Sequence, residues 1–325
     1  MVVVASTAVV VTGRAVVVVV AGVEFDVGGE VVGEVVVTAG LLQAATSVSA
    51  ATARGDRKRA MADALFIPDG DRFLPTDLTR GGWSDDSQHG SPPSGLLARA
   101  IEQVPTAVPM QVVRFTIDLF RAVPLSPLTV STTVRRDGKR IQVVDAYLYA
   151  DDVEVGRVSS LKIRVTDLDL DDRGEAPWEQ PPLPDEADPM QWDDAFGPRG
   201  GLPRFHYDAV EIRTFKNSFL DKGPGLSWFR LKYPVVAGEE LSPFVRLATI
   251  ADMSNGNSQA LDARKWLFVN PDITIYAHRL PVDEWVGMRS AAFQHHTGIG
   301  LVDTRIFDRQ GPLGRINQAQ LLDRH

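Results

Sequence analysis

Asp252, Gln318, Asn270, Thr274 and the pair His89-Gly90 are the positions of this chain whose residue types and spacing could do chemistry. Asp252 lies four residues after Ala248 and five after Leu247, at the edge of a helical apolar face. Ser254-Asn255-Gly256 reads as the stop of that helix, so the carboxylate sits near a helix C-terminus. The negative end of the dipole and low solvation both disfavour its charged form there. Such a group has a use as a base that takes a proton from water; the blander reading is a surface Asp capping the next loop. Gln318 is an amide in an otherwise apolar strand, on one face with Ile316, Gln320 and Leu322. If buried, it needs partners, and it could hold a carboxylate or a water. Asn270 can both donate to and accept from water, although Asn-Pro-Asp is also an ordinary turn opening. Asp272 and Thr274 are polar alternatives close by. His89 and Gly90 precede a helix whose N-terminal N–H groups could bind an oxyanion; His89 is otherwise an acid, a base or a plain loop residue.

Other chemistries are poorly served. There is no Cys, which removes thiolate catalysis, disulfides and Cys-ligated metals. The six His are scattered, so no metal site is expected, and no Ser elbow is present. The net charge of -8 argues against nucleic acid as a partner, because phosphate binding needs clustered Lys and Arg. With 44% hydrophobic and 23% charged residues, the chain reads as soluble and globular; the absence of Cys fits a cytoplasmic protein, and Arg14 interrupts the Val-rich run that could otherwise be a signal or membrane segment. What remains is activation of water by a carboxylate.

The elements that must position these residues form a repeated pattern. Ser91-Pro92-Pro93 predicts a helix start with a hydroxyl cap and Pro in the first turn. Leu96, Leu97, Ala100, Ile101 and Val104 continue it at helical spacing. Alternation then predicts strands over 112–120, 128–134, 141–149 and 155–163, with a hairpin turn at Asp137-Gly138. Ser242-Pro243 caps a second helix carrying Phe244, Leu247, Ala248 and Ala251 on one face. Strands are predicted over 210–215 and 226–233 before it, and over 266–279, 285–293, 300–307 and 313–322 after it. Each half carries a Thr-x4-Arg step, Thr116 to Arg121 and Thr274 to Arg279. Each also closes a hairpin on Gly-Arg-aliphatic, at Gly156-Arg157-Val158 and Gly314-Arg315-Ile316. Such a repeat implies two copies of one α+β unit facing each other across a seam.

The domain plan that follows has four parts. Residues 1–60 form a Val/Ala-rich extension, disordered or a mis-called start with Met61 as the true one. Eighteen of the first 38 residues are Val, which gives neither a helical nor a strict strand period. Residues 61–165 form the first unit and 201–325 the second. Residues 166–200 form an acidic, Pro-rich linker, extended because it cannot bury a core, with Trp178 and Trp192 able to dock it on the surface.

This order of one helix and then four strands, twice, resembles the double hotdog of acyl-CoA thioesterase II and its thioesterase-like relatives. The stretches that carry the resemblance are Gln88-His89-Gly90 with Leu96-Leu97-Ala98-Arg99-Ala100, then Ala251-Asp252. They continue with Asn270-Pro271-Asp272-Ile273-Thr274 running to His278-Arg279, then Glu284-Trp285, and Gly311-Pro312-Leu313-Gly314 followed by Gln318. The resemblance implies an α+β double hotdog in which two sheets, each wrapping a helix, join edge to edge. An acyl tail would lie between helix and sheet, with the CoA end toward the surface. It also implies hydrolysis of an acyl-CoA or acyl-carrier thioester by water, without a cofactor. Asp252 would activate the water, and Gln318 and Asn270 would orient it. Main-chain N–H groups near Gly90 would hold the oxyanion, with His89 and Thr274 as weaker substrate-binding candidates. Counting from the preceding Gly falls on Ala319, which leaves Gln318 and Gln320 as alternatives. Asn270 stands where those thioesterases have a Thr, which keeps open a non-catalytic acyl-thioester binding protein. A hotdog dehydratase or hydratase built on His89 and Asp252 is a further alternative. A homodimer is the expected assembly.

Overall fold

The computed structural model describes strand backbone at 2–12, 15–27 and 30–31, and then residues 63–82, 84–170, 174, 176–192, 201–215, 222–262 and 265–324. The chain divides into two compact units, Met1–Arg57 and Lys58–His325. In the first, β1 (Val2–Thr12) and β2 (Ala15–Val27) pair antiparallel, and β3 (Glu30–Val31) adds to β2. Strand backbone is thus present over these stretches of the expected extension. Runs of β-branched Val favour extended pairing even without polar alternation. Expectations for most of 32–60 fall outside the described residues.

In the second unit, β4 (Phe66–Asp69) and β5 (Arg72–Pro75) precede helix α1 (Ser91–Gln103). Four antiparallel strands follow: β6 (Met110–Leu119), β7 (Leu128–Arg136), β8 (Ile141–Ala150) and β9 (Val153–Arg164). Strand β8 buries every second residue, as its alternation predicts. The short β10 (Asp188–Pro189) leads to β11 (Val210–Thr214) and β12 (Gly225–Leu231). Helix α2 (Pro243–Ile250) and the single turn α3 (Met253–Gly256) come next. The chain closes with β13 (Trp266–Val269), β14 (Asp272–Ala277), β15 (Trp285–His295), β16 (Ile299–Asp308) and β17 (Gly311–Arg324). These strands form one sheet, in the order β10-β11-β12-β15-β16-β17-β14-β6-β9-β8-β7-β5-β4, with β13 also on β17.

The strand predicted over 266–279 is two strands. Pro271 cannot donate to a ladder, so the chain breaks at Asn270-Pro271 and its two parts take successive stretches of the β17 edge. The halves of the sheet meet where β14 pairs with β6, and Thr274 stands opposite Thr116. Ser242 caps α2 as predicted, accepting from the Val245 N–H. Ser91 does not cap α1: Gly90 holds that position, and the Ser91 hydroxyl is buried without a partner among the described residues.

The helices run antiparallel beneath the sheet. Glu102 meets Ser242, the Ser94 hydroxyl donates to the Ala248 carbonyl at 2.9 Å, and Gly90 meets Asp252. Phe244 of α2 packs edge-on against Phe115 of β6 in a core drawn from both halves. The linker joins in as well: Met190 and Trp192 enter this core, and Trp178 packs with Trp228 and Phe307 on a separate cluster. Composition alone hides this, because two Trp and a Met provide enough apolar area to fix an otherwise polar stretch.

Candidate active site

Asp252 lies two residues past the end of α2, directly before α3, and is 7% exposed. Its Oδ1 accepts from Asn270 Nδ2 at 2.7 Å and lies 3.5 Å from Gln318 Nε2. Its Oδ2 is 2.8 Å from His89 Nδ1, and the Gly90 main chain donates to the same carboxylate. The site therefore forms where the end of α2 meets the start of α1. Gly90 is required there: a Cβ on it would stand 2.8 Å from Oδ2 and 3.1 Å from a Leu119 methyl.

The electrostatics reverse the sequence expectation. Burial pushes the Asp252 carboxyl up, but the coulombic attraction of His89 and the hydrogen bonds from His89, Asn270 and Gly90 outweigh it. The group is held below the usual carboxylate range. The sequence shows only the helix that carries Asp252, whereas the fold also sets it against the positive start of α1.

His89 Nδ1 has two neighbours that exclude one another. The carboxylate needs an N–H there, while the Ser91 main-chain N–H, at 3.2 Å, needs a bare nitrogen. The shorter, charged contact prevails, so Nδ1 carries the hydrogen. Pro92 and Pro93 have no N–H, so the first turn of α1 presents the Ser91 N–H, beside His89 Nδ1, as its main-chain donor. The other side of His89 is walled by Phe205 at 5.1 Å and His206 at 5.9 Å between ring centroids.

The acyl-CoA thioesterase N-terminal domain family matches residues 79–163, and the acyl-CoA thioesterase C-terminal domain family matches residues 180–322. The chain belongs to the acyl-CoA thioesterase II-like hotdog family. Acyl thioester hydrolysis is the chemistry of this thioesterase family. No curated protein matches the chain. Solved structures share the hotdog fold at low identity. A candidate thioesterase from Novosphingobium aromaticivorans is 19% identical with a TM-score of 0.62, over 80% of this chain and 98% of its own. An acyl-CoA thioesterase II from Mycobacterium marinum is 16% identical with a TM-score of 0.55, over 79% and 94%. A hot dog protein from Alicyclobacillus acidocaldarius is 14% identical with a TM-score of 0.61, over 82% and 97%.

In this thioesterase family member the fold brings Asp252, Asn270, Gln318, His89 and Gly90 together. Thr274 is not among them. Its neighbours Ile273 and Ile275 are buried inward, so Thr274 turns to the outer face, where its hydroxyl meets that of Thr116 at 3.3 Å. Asp272 accepts from the Ala319 N–H at 2.8 Å. Ala319 itself points outward, and both Gln318 and Gln320 point inward; Gln318 reaches Asp252, and Gln320 reaches Asn255 at 2.6 Å. Arg279 clamps the buried Asp308, whereas Arg121 is exposed. The two ends of the Thr-x4-Arg steps thus do different work. His295 and His296 lie exposed at the end of β15. Among the described residues no group of His, Cys, Asp and Glu could hold a metal ion, and no helix is long and apolar enough to cross a membrane.

Sequence reasoning missed Asn255, read only as part of a helix stop. Its Nδ2 donates to Asn270 Oδ1 at 3.0 Å and to the Phe268 carbonyl at 3.2 Å. The signal was present as amides at inward positions of apolar strands, in Gln318, Gln320 and Gln294.

Proposed function

We propose that the chain hydrolyses acyl-CoA or acyl-carrier thioesters with a water activated by Asp252. The convergence of Asn270, Gln318, His89 and the Gly90 N–H on one buried carboxylate carries this reading. Asn270 takes the place of a Thr as donor to that carboxylate. Gln318 Oε1 is buried and has no partner among the described residues, which suits it to accept one hydrogen of the attacking water. As the water oxygen bonds to the carbonyl carbon, its other proton passes to Asp252. The oxyanion is stabilised by the Ser91 N–H and by the positive charge at the start of α1. On collapse the C–S bond breaks, the thiolate takes the proton back from Asp252, and acid and thiol leave. A carboxylate held below its usual range is a weak base, so its main contribution is to orient the water and to accept charge in the transition state.

In the same reading, residues 61–165 and 201–325 are tandem copies of one hotdog unit, bridged by 166–200. The join between β6 and β14 and the antiparallel helices support this plan. The test is release of free thiol from acetyl-, hexanoyl-, decanoyl- and palmitoyl-CoA by the wild type and Asp252→Ala. Turnover that survives unchanged in the variant removes Asp252 from the mechanism, and tight binding without turnover favours a non-catalytic binder. The His89–Asp252 pair also supports a second reading, a hydratase or dehydratase in which Asp252 orients His89 as the base. Hydration of crotonyl-CoA by the wild type, lost in His89→Gln, would select it.

A further inference from the structure

A line of side-chain amides ends on Asp252. Gln294 Nε2 donates to Gln320 Oε1 at 3.3 Å, and Gln320 Nε2 donates to Asn255 Oδ1 at 2.6 Å. Asn255 Nδ2 donates to Asn270 Oδ1 at 3.0 Å, and Asn270 Nδ2 to Asp252 Oδ1 at 2.7 Å. The direction follows from chemistry. A carboxylate only accepts, so Asn270 must present its N–H. Its carbonyl then faces Asn255, which must present N–H in turn, and the requirement passes on to Gln320. Asn255 is also held by the Phe268 carbonyl, which fills the second hydrogen of its Nδ2. Gln294, Gly300 and Gln320 form one cross-strand row. A Cβ on Gly300 would stand 2.6 Å from Gln320 Oε1, so the glycine leaves the space that the Gln294–Gln320 contact crosses.

We propose that Asn255 and Gln320 are positioning residues that fix which face Asn270 turns to Asp252. This rests on the hydrolytic reading of the Asp252 site. Asn270 has two chemically opposite faces, and only one suits a carboxylate. A Thr hydroxyl would rotate to suit its neighbours, whereas an amide must be held from behind. Gln320 and Asn255 are buried, so no solvent competes to reorient them.

Gln320→Glu tests this with almost no change of shape. The carboxylate it introduces accepts only when ionised, and burial favours its protonated form, so the variant is measured at a pH high enough to ionise it; Asn255 would then turn its N–H toward it and its carbonyl toward Asn270. Asn270 would then present its own carbonyl to Asp252, acceptor against acceptor. With the acyl-CoA of the panel that the wild type turns over fastest, kcat should fall roughly 10- to 100-fold, as expected for a misplaced reacting group, with KM little changed. Gln320→Met removes the donor without reversing it and should lose less. In an Asn270→Ala background, Gln320→Glu should have no further effect on kcat, because the residue through which it acts is gone. Equal losses in both backgrounds, or a wild-type kcat in Gln320→Glu, would overturn the proposal. Should Gln320→Glu not fold, Asn255→Leu in the same two backgrounds makes the same test. Asp252→Asn is measured alongside. If it leaves turnover unchanged, the site reading fails; if it abolishes turnover while Gln320→Glu is silent, the relay alone fails.

Discussion

Gly90→Ala isolates the meeting of the two helices at the Asp252 carboxylate. Gly90 has φ -63° and ψ -23°, a conformation alanine adopts freely, so the substitution adds a methyl group without backbone strain. That methyl would lie 2.8 Å from Asp252 Oδ2 and 3.2 Å from its Cγ. Relief to an ordinary contact of about 3.4 Å requires a retreat of about 0.6 Å. Asp252 cannot yield that distance while keeping Asn270 at 2.7 Å and His89 at 2.8 Å. A misplacement of about 1 Å at a reacting group costs on the order of 100-fold, so a loss of about tenfold in kcat is expected. Crowding should cost only about 1–3 kcal/mol of stability. Steady-state kcat and KM with the preferred acyl-CoA, beside thermal unfolding, make the measurement. A variant with wild-type kcat would refute the claim that the Asp252 position limits the rate, whatever its stability.

Three further outcomes are expected. Asp252→Asn keeps the shape of the site but removes the proposed base; kcat should fall about 100- to 10,000-fold while the circular dichroism spectrum is retained. His89→Gln removes the counter-charge that offsets burial of Asp252, so the carboxyl should titrate higher and the acid limb of the kcat/KM profile should move to higher pH. An unmoved limb would mean that His89 does not hold Asp252 low. Arg279→Met strands the buried Asp308, whose carboxyl is pushed up by burial but held below the usual range by Arg279 and by the Gln310 and Val282 N–H groups. Because the folded-state value is depressed, the pair contributes stability above the ordinary carboxylate range and loses it as the pH falls through the folded value. The variant should lose about 3–5 kcal/mol at neutral pH, and chemical denaturation should show the deficit shrinking in acid.

The sequence disclosed what repeats locally. Alternation in β8 and the Ser242-Pro243 start of α2 are written in consecutive residues, and the structure has them there. Gln318 was legible because an amide on an apolar face must find partners. The break at Asn270-Pro271 was also written in the chain, but the alternation on either side of it overrode the Pro. Other features depend on partners far along the chain. The direction of the Asp252 shift was misjudged because His89 and the start of α1 lie more than 160 residues earlier in the sequence. Thr274 looked eligible by proximity to Asn270, yet one step along a strand reverses the face and sends it outside. Asn255 looked like a helix stop because nothing local shows that β17 brings Gln320 to it.

The antiparallel helix pair has two ends, and they are furnished differently. One holds Gly90, His89 and Asp252. The other holds the Arg99–Glu239 ion pair and the Glu102–Ser242 hydrogen bond, with the Ser94–Ala248 bond nearer the reactive end. Twelve residues of helix separate Gly90 from Glu102, a rod of about 18 Å. Such a rod transmits tilt: slack at the far clamp becomes displacement where a few tenths of an ångström decide whether Asp252 keeps its partners. The far end is the anchor of that rod, and its ion pair lies a helix length from Asp252.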